Sequence, residues 1–321
     1  MIFQIIIFIA SCFVLAHLSK NLVQTLVDIA KYLKWREFMI GFFVMAFATS
    51  LPNLFVDISA ALRGMQGLAF GDIVGGNFVD LTLVMGLAVL FGKTALPAES
   101  KMVQSSAIFT GIIAILPLLL VADGNLSRAD GIILLLAFAV YTFWIFSKNE
   151  RFKKVYNVHG KRKKMAVMDF KEFLKNVLKL IVLLVLLLVS SWIIITSAQF
   201  FSNALGASLS LVGILIVALG NSFPELYFSI VSSRNSENWM ILGNLMGSVI
   251  VCATLVRGIV AIIAPFEIHD FSPFYNARIF MVIAVIFYLF IIRSGRHITK
   301  REGLILIFLY ILFLLTEIFL K

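Results

Sequence analysis

The chain has 321 residues, of which 61% are hydrophobic and 14% are charged, and its mean hydropathy is +1.03. Soluble domains carry roughly 25% charged residues, so this composition excludes an ordinary soluble domain and predicts a multi-pass membrane protein. The formal net charge is +10. Because the basic residues gather in loops between apolar segments, we interpret the excess as a topology signal and expect no nucleic-acid partner.

Apolar runs long enough to cross about 30 Å of hydrocarbon, at about 1.5 Å per residue, predict about ten transmembrane helices. In chain order, the predicted spans are 2–30, 38–63, 70–92, 103–122, 129–147, 173–202, 209–233, 240–264, 277–294 and 303–320. We number them spans 1 to 10. An even number of spans places both termini on the same side of the membrane.

Lys and Arg concentrate in the loops on one side, above all in the basic segment 148–172 between spans 5 and 6. The positive-inside rule therefore predicts that this segment is a cytoplasmic linker in contact with anionic lipid, and that both termini are extracytoplasmic. With five spans on each side of the linker, the repeat 173–321 is expected to run upside down relative to the repeat 1–147. This is the inverted topology of many secondary transporters of the cell membrane.

One pair of motifs occurs twice, 172 residues apart, over 41–80 and over 213–252. The first copy reads Gly-Phe-Phe-Val-Met-Ala-Phe-Ala-Thr-Ser-Leu-Pro-Asn and then Gly-Asp-Ile-Val-Gly-Gly-Asn-Phe-Val-Asp. The second reads Gly-Ile-Leu-Ile-Val-Ala-Leu-Gly-Asn-Ser-Phe-Pro-Glu and then Gly-Asn-Leu-Met-Gly-Ser-Val-Ile-Val-Cys. Helix packing alone would explain a single Gly-x-x-x-Gly. Polar, glycine and proline clusters at matching places in two apolar halves indicate a transporter's binding site.

Two acids lie near the middle of predicted spans, Asp80 in span 3 and Glu225 in span 7. An ionised carboxylate at that depth costs several kcal/mol unless it has a partner, and the motif segments quoted above contain no Lys or Arg. A bound cation would supply the partner; the alternative is a protonated acid bonded to a neighbouring helix. Carboxylates, hydroxyls and the carbonyls that Pro52 and Pro224 disturb are hard oxygen ligands, which suit calcium and sodium.

These motifs resemble the two alpha-repeats of the sodium/calcium exchangers, within the cation/calcium exchanger superfamily. The resemblance rests on Ala-Thr-Ser-Leu-Pro-Asn with Gly-Asp-Ile-Val-Gly-Gly-Asn, and on Gly-Asn-Ser-Phe-Pro-Glu with Gly-Asn-Leu-Met-Gly-Ser. It implies an all-α membrane fold of two inverted five-helix repeats that exchanges calcium for sodium by alternating access. Proton-driven cation antiport and a membrane protein of this fold that no longer transports remain the alternatives.

The resemblance implies that spans 2, 3, 7 and 8 enclose the ions and that no cofactor is bound besides the transported cations. The candidate ligands are Ala46, Thr49, Ser50, Asn53, Asp57, Asn77, Asp80, Ala218, Asn221, Ser222, Glu225 and Ser248. Of these, Asp57 is a candidate because it lies one helical turn beyond Asn53 and about 40° around the helix. Pairing elsewhere or lining an outer vestibule is the alternative for Asp57.

Four positions depart from the family pattern or stand out beside it. Asn53 replaces a glutamate, and Cys252 stands where an aspartate is frequent; a thiol is a poor ligand for calcium or sodium. Asp72 is expected near the outer end of span 3 as a vestibule or helix-start acid. Arg257, in span 8, is expected to snorkel towards the outer interface or to pair with another helix rather than to replace an ion.

An enzyme is not expected. The four histidines, at 17, 159, 269 and 297, have no metal-ligand spacing, and the sequence contains no evident nucleophile and base pair or phosphate loop. The expected partners are the lipid bilayer and inorganic cations, and the sequence leaves the oligomeric state open.

Overall fold

The computed structural model describes residues 2–32, 45–147, 170–234, 238–268 and 274–319. Within these ranges, nine helices are long and apolar enough to cross a membrane, and the shorter apolar helix Ala46–Leu62 lies in predicted span 2. The predicted all-α membrane fold is therefore confirmed. The first four residues of the 41–80 motif and all but the last three of the 148–172 linker lie outside the described residues.

The described helices follow the predicted spans to within a few residues, except that the predicted start of span 2, 38–44, lies outside the described residues. In the first half they are Ile2–Tyr32, Met45–Leu62, Gln66–Val79, Asp80–Val84, Met85–Phe91, Lys101–Leu120 and Arg128–Ser147. In the second half they are Phe170–Leu205, Leu209–Val212, Gly213–Val217, Ala218–Asn221, Phe223–Arg234, Asn238–Ile250, Val251–Val256, Arg257–Ile263, Tyr275–Ser294 and Lys300–Phe319. Spans 3, 7 and 8 each consist of consecutive helical segments, and the junctions between these segments lie near the site described below.

Four two-residue strands join the two halves in antiparallel pairs. They are β1 (Leu96–Pro97), β2 (Asn125–Leu126), β3 (Phe266–Glu267) and β4 (His297–Ile298). A short 3₁₀ turn, Val121–Asp123, precedes β2. β1 pairs with β4, and β2 pairs with β3. Because β1 follows span 3 and β2 follows span 4, the two pairs lie at opposite ends of the bundle, as ten alternating spans require.

Helix packing repeats with the same 172-residue offset as the motifs. A Cβ added to Gly303 would lie 3.1 Å from the carbonyl oxygen of Gly86, so span 10 crosses span 3 at two glycines. At the equivalent positions, a Cβ added to Gly131 would lie 2.9 Å from the carbonyl oxygen of Gly258. Small residues permit this close backbone approach between membrane helices. The two halves therefore share one internal architecture.

Helix starts repeat as well. The Ser127 hydroxyl donates to Asp130 Oδ2 at 2.6 Å, and the Thr299 hydroxyl donates to Glu302 Oε2 at 2.8 Å. In each case the backbone NH of the serine or threonine also donates to the same carboxylate, and the backbone NH of the acid donates back to the hydroxyl. These reciprocal contacts are capping boxes, and they begin spans 5 and 10 at positions 172 residues apart.

Spans 1 and 6 form a layer of their own. Leu15 and Leu22 of span 1 pack with Leu187 and Ile195 of span 6, in a cluster that also includes residues of spans 2, 3 and 7. The largest buried cluster instead draws mainly on spans 3, 4, 8, 9 and 10. Spans 1 and 6 therefore lie outside the main core, against the helices that carry the repeated motifs.

Candidate cation site

Spans 3 and 7 cross at glycines, which bring the two acid-bearing helices together. A Cβ on Gly75 would press against the carbonyl oxygen of Ile214 and lie 2.7 Å from the Cβ of Ala218. A Cβ on Gly213 would lie 2.5 Å from the carbonyl oxygen of Leu68. Any side chain at these glycines would separate the helices, so the motif glycines set the distance between the two halves of the site.

Irregular helical turns lie at matching places on spans 3 and 8. Span 3 widens into a π-helix at Asp80–Val84, and span 8 does so at Val251–Val256. Inside them, the Thr82 hydroxyl donates to the Phe78 carbonyl and the Thr254 hydroxyl to the Ile250 carbonyl, both at 2.5 Å. Single π-helical turns often mark functional sites. Here they carry Asp80 and its repeat partner Cys252.

Span 7 breaks where span 2 continues. Ser222 separates the helices Ala218–Asn221 and Phe223–Arg234, two residues before Pro224. Pro52 instead lies inside the continuous helix Met45–Leu62. The helix that starts at Phe223 holds Glu225 in its first turn, where the helix dipole favours a negative charge.

The two carboxylates meet at one hydroxyl. Ser248 Oγ lies 3.1 Å from Glu225 Oε1 and 3.3 Å from Asp80 Oδ2. A serine hydroxyl has one proton and can donate to only one acceptor at a time. The other carboxylate oxygens, Asp80 Oδ1 and Glu225 Oε2, are buried without a hydrogen-bond partner among the described residues. Both acids are at most 2% exposed. Burying ionised carboxylates is costly unless a positive charge accompanies them.

Two hydroxyls of span 2 extend this centre. Ser50 Oγ lies 3.3 Å from Ser248 Oγ and donates to the Ala46 carbonyl at 2.8 Å. Thr49 Oγ1 contacts the same carbonyl at 3.2 Å and Asn244 Oδ1 at 3.4 Å. The contacts of Ser50 and Thr49 therefore tie span 2 to span 8 through oxygen atoms that are all possible ligands of a hard cation.

The two departures from the family pattern touch each other. Asn53 Nδ2 donates a 3.1 Å hydrogen bond to the sulfur of Cys252. Asn53 Oδ1 is buried without a partner among the described residues. In this neutral pair, Asn53 Oδ1 is therefore the one amide oxygen that remains available as a ligand.

A second polar cluster joins Asp57, Asp72, Asn221 and Arg257. Asn221 Nδ2 donates to Asp72 Oδ2 at 2.8 Å, and the carboxyl group of Asp57 lies within hydrogen-bonding reach of Asp72. The positive charge of Arg257 interacts electrostatically with both acids, and its Nη2 donates to the carbonyl of Ile73.

This cluster corrects two expectations. Asp72 is buried at 4% exposure and bonded to span 7, so it is not a vestibule acid. Arg257 is 3% exposed and does not snorkel: its Nη2 donates to a carbonyl inside the bundle, while its Nε is buried without a partner among the described residues. The alternative expectation, pairing with another helix, describes its contact with span 3.

All twelve candidate residues are buried; ten of them fall into two groups, and Asn77 and Ala218 are described separately. Around the acidic centre lie Ala46, Thr49, Ser50, Asn53, Asp80, Ser222, Glu225 and Ser248. Asp57 and Asn221 lie with Asp72 instead. Asn77 lies one turn before Asp80, and the described residues offer its carboxamide no partner. The backbone carbonyl of Ala218 accepts from the backbone NH of Ser222 at 3.1 Å.

Sequence reasoning missed Asn244. Its side chain is fully buried, its Oδ1 lies near Thr49, and its Nδ2 has no partner among the described residues. The signal was present, because Asn244 is the repeat partner of Asp72.

Two inverted five-helix halves, with carboxylates meeting on interrupted helices, define a secondary ion transporter. The sequence model of the family described as sodium/calcium exchanger protein matches residues 3–147 and 175–319. The chain therefore belongs to the sodium/calcium exchanger family, and the resemblance noted in the sequence is confirmed.

Known relatives cover nearly the whole chain. It is 26% identical over 269 residues to the inner membrane protein YrbG of Escherichia coli strain K12, covering 84% of this chain and 82% of that protein. It is 23% identical to the sodium/calcium exchanger MaX1 of Methanosarcina acetivorans, covering 92% and 93%. A solved structure of the sodium-calcium exchanger NCX_Mj matches with a TM-score of 0.67 and 22% identity, covering 100% of both chains. At that identity the structural match establishes the fold.

Proposed function

We propose that this protein is a secondary antiporter that exchanges calcium for sodium across the cell membrane. The observation that carries the proposal is the meeting of Asp80 and Glu225 at the hydroxyl of Ser248. Within the described part of the chain, neither carboxylate forms an ion pair with Lys or Arg. Two buried carboxylates without a fixed counter-charge can both stay ionised when a mobile cation lies between them, and otherwise they take up protons.

The chemistry of the surrounding groups favours calcium. Calcium takes about six to eight oxygen ligands from carboxylates, carbonyls and hydroxyls. We assign Asp80 and Glu225 as its charged ligands, with the Ala46 and Ala218 carbonyls beside them. Further neutral oxygens for calcium and sodium come from Thr49, Ser50, Asn53, Asn77, Asn221, Ser222 and Ser248. MaX1 carries sodium/calcium exchange in its name, which supports the same assignment here.

The layering of the helices suggests how access alternates. Spans 1 and 6 pack on each other and against the motif helices, outside the largest buried core. We propose that they slide as a unit while spans 2, 3, 7 and 8 hold the ions. In this scheme, 1–147 and 173–321 are the two repeats, the 148–172 linker is cytoplasmic, and both termini are extracytoplasmic.

Protons are the alternative coupling ion, since carboxylates can carry them. The function therefore needs an experiment that separates three outcomes. The purified protein is reconstituted into liposomes, and radioactive calcium uptake is measured under an outward sodium gradient and, separately, under an outward proton gradient. We expect uptake under the sodium gradient. Uptake under the proton gradient alone would show that protons, and not sodium, are the coupling ion. No uptake under either would refute transport of calcium.

Substitutions then test the ligand assignment. Glu225→Gln and Asp80→Asn each remove one charge while preserving shape, so we expect calcium uptake to fall by about tenfold or more, since each lost charge interaction is worth over 1.4 kcal/mol. The matched control is Glu99→Gln, an acid 62% exposed in the loop that carries β1. Normal uptake in both Glu225→Gln and Asp80→Asn would show that these acids do not hold the ion.

A further inference from the structure

The internal repeat sorts four central residues into two pairs of different character. The 172-residue offset relates Asp80 to Cys252 and Glu225 to Asn53. The acidic pair lies at the hydroxyl of Ser248, at 3.3 and 3.1 Å. Its symmetry mate is neutral, and the amide of Asn53 donates to the sulfur of Cys252 at 3.1 Å. One half of the pseudo-symmetric centre is charged, and the other half has no charge.

The neutral pair cannot take over the balancing of an extra cation. Its amide hydrogen is directed at the sulfur, and a thiol is a poor ligand for calcium or sodium. It therefore contributes the Asn53 carbonyl oxygen, which has no partner among the described residues, and no negative charge.

A second set of buried charges lies away from this centre. Asp72 accepts from Asn221 and lies within hydrogen-bonding reach of Asp57, and the charge of Arg257 acts on both acids. Its two acids exceed its one arginine, but the ions exchanged are assigned above to Asp80 and Glu225, and none is assigned to this cluster. It adds the same charge to the calcium-loaded and the sodium-loaded protein, so it does not affect the charge moved per cycle.

We propose, building on the exchange proposed above, that each cycle exchanges one divalent cation for two monovalent cations and moves no net charge across the membrane. Asp80 and Glu225 together carry two negative charges, which one calcium ion or two sodium ions balance. A third monovalent cation would leave an uncompensated positive charge beside the Asn53 and Cys252 pair, and burying such a charge is costly.

The end point of transport measures this stoichiometry directly. Liposomes holding the wild-type protein are given a sodium gradient of about tenfold, and the membrane potential is clamped with potassium and valinomycin. Two sodium ions per calcium ion should produce a final calcium gradient of roughly a hundredfold. The same value is expected at zero potential and at about 100 mV, whereas one net charge per cycle would shift it roughly fiftyfold.

The outcomes separate the stoichiometry from the function itself. Sodium-driven uptake whose end point moves with the potential would overturn the electroneutral cycle and leave sodium/calcium exchange standing. If only protons drive uptake, the same clamp is applied to a proton gradient, and a potential-independent end point would support two monovalent ions per calcium. Absence of uptake under every gradient would refute both proposals.

A charge-restoring variant tests whether the neutral pair is the cause. Asn53→Glu with Cys252→Asp places two carboxylates at the symmetry mates of the acidic pair. We expect its calcium end point, unlike that of the wild type, to depend on the membrane potential. The matched neutral variant, Asn53→Gln with Cys252→Ser, should keep the potential-independent end point. A charge-restored protein that transports without any potential dependence would refute the role of this pair, while the wild-type measurement decides the stoichiometry independently.

Discussion

Arg257 of span 8 donates a hydrogen bond to the backbone carbonyl of Ile73 in span 3. The charges of Asp57 and Asp72 act on its guanidinium, so a basic side chain in the bundle interior interacts electrostatically with acids of two other spans. The repeat partners of Arg257, Asp57 and Asp72 are Met85, Ser229 and Asn244, none of which is charged. The charged cluster, which spans both halves, therefore has no copy at the symmetry-related positions.

Replacing the arginine should destabilise the protein strongly. Arg257→Met introduces the residue of the opposite half and leaves two buried acids without a cation. Removing one partner of a buried charge pair costs about 3–5 kcal/mol, so we expect a clear fall in the thermal unfolding temperature of the purified protein. The triple variant Arg257→Met, Asp57→Ser, Asp72→Asn introduces the neutral residues of the symmetry-related positions and should recover most of that loss. An unchanged unfolding temperature in the single variant would show that Arg257 is not the counter-charge.

Two adjacent glycines provide a matched pair for the crossing of spans 3 and 7. Gly75→Ala would force a Cβ against Ile214 and Ala218, and such overpacking costs about 1–3 kcal/mol. Gly76→Ala meets no atom within 4 Å, so it should be neutral or slightly stabilising, because alanine favours a helix over glycine. Thermal unfolding and calcium uptake measure both variants. Equal behaviour of the two would contradict the close crossing.

The bridging hydroxyl of Ser248 should affect ion binding more than folding. Ser248→Ala removes a donor shared by two carboxylates, and hydrogen bonds to charged groups contribute about 1.5–3 kcal/mol. We expect the calcium concentration for half-maximal uptake to rise by about tenfold or more. Ser191→Ala is the control, since that buried hydroxyl donates only within its own helix, to Leu187. A Ser248→Ala protein with normal calcium dependence would exclude the hydroxyl from the site.

The capping boxes test the repeat away from the site. Ser127→Ala and Thr299→Ala each remove the side-chain cap of a helix, which costs about 1 kcal/mol. Because spans 5 and 10 begin at opposite ends of the bundle, the two losses should add in the double variant. Chemical denaturation of the purified variants provides the measurement. Thr316→Ala, whose hydroxyl donates to the Phe313 carbonyl in the last turn of span 10, should cost less.

The sequence was sufficient for the architecture because its signals are periodic. Long apolar runs located the spans, and a gap-free repeat related Asp80 and Glu225 to positions in the opposite half. The repeat identified equivalent residues but could not show which of them touch. The contact of Asn53 with Cys252 depends on how spans 2 and 8 cross, and no local pattern encodes that crossing.

Other features were beyond sequence reasoning for different reasons. The partner of Arg257 lies 184 residues away, and helical spacing along span 8 alone says nothing about neighbouring spans. The π-helical turns at Asp80 and Val251 have no simple residue signature. The glycine crossings at Gly86 and Gly258 could have been found, because they follow the same offset as the motifs.

The small strand pairs have a consequence for how the molecule is assembled. β1 with β4 joins the halves at one membrane face, and β2 with β3 joins them at the other. Each half thus holds its neighbour by backbone hydrogen bonds on both sides of the bilayer, independently of the covalent peptide that connects them. Two separately synthesised polypeptides, one for each half, would therefore be expected to associate and reconstitute the intact bundle.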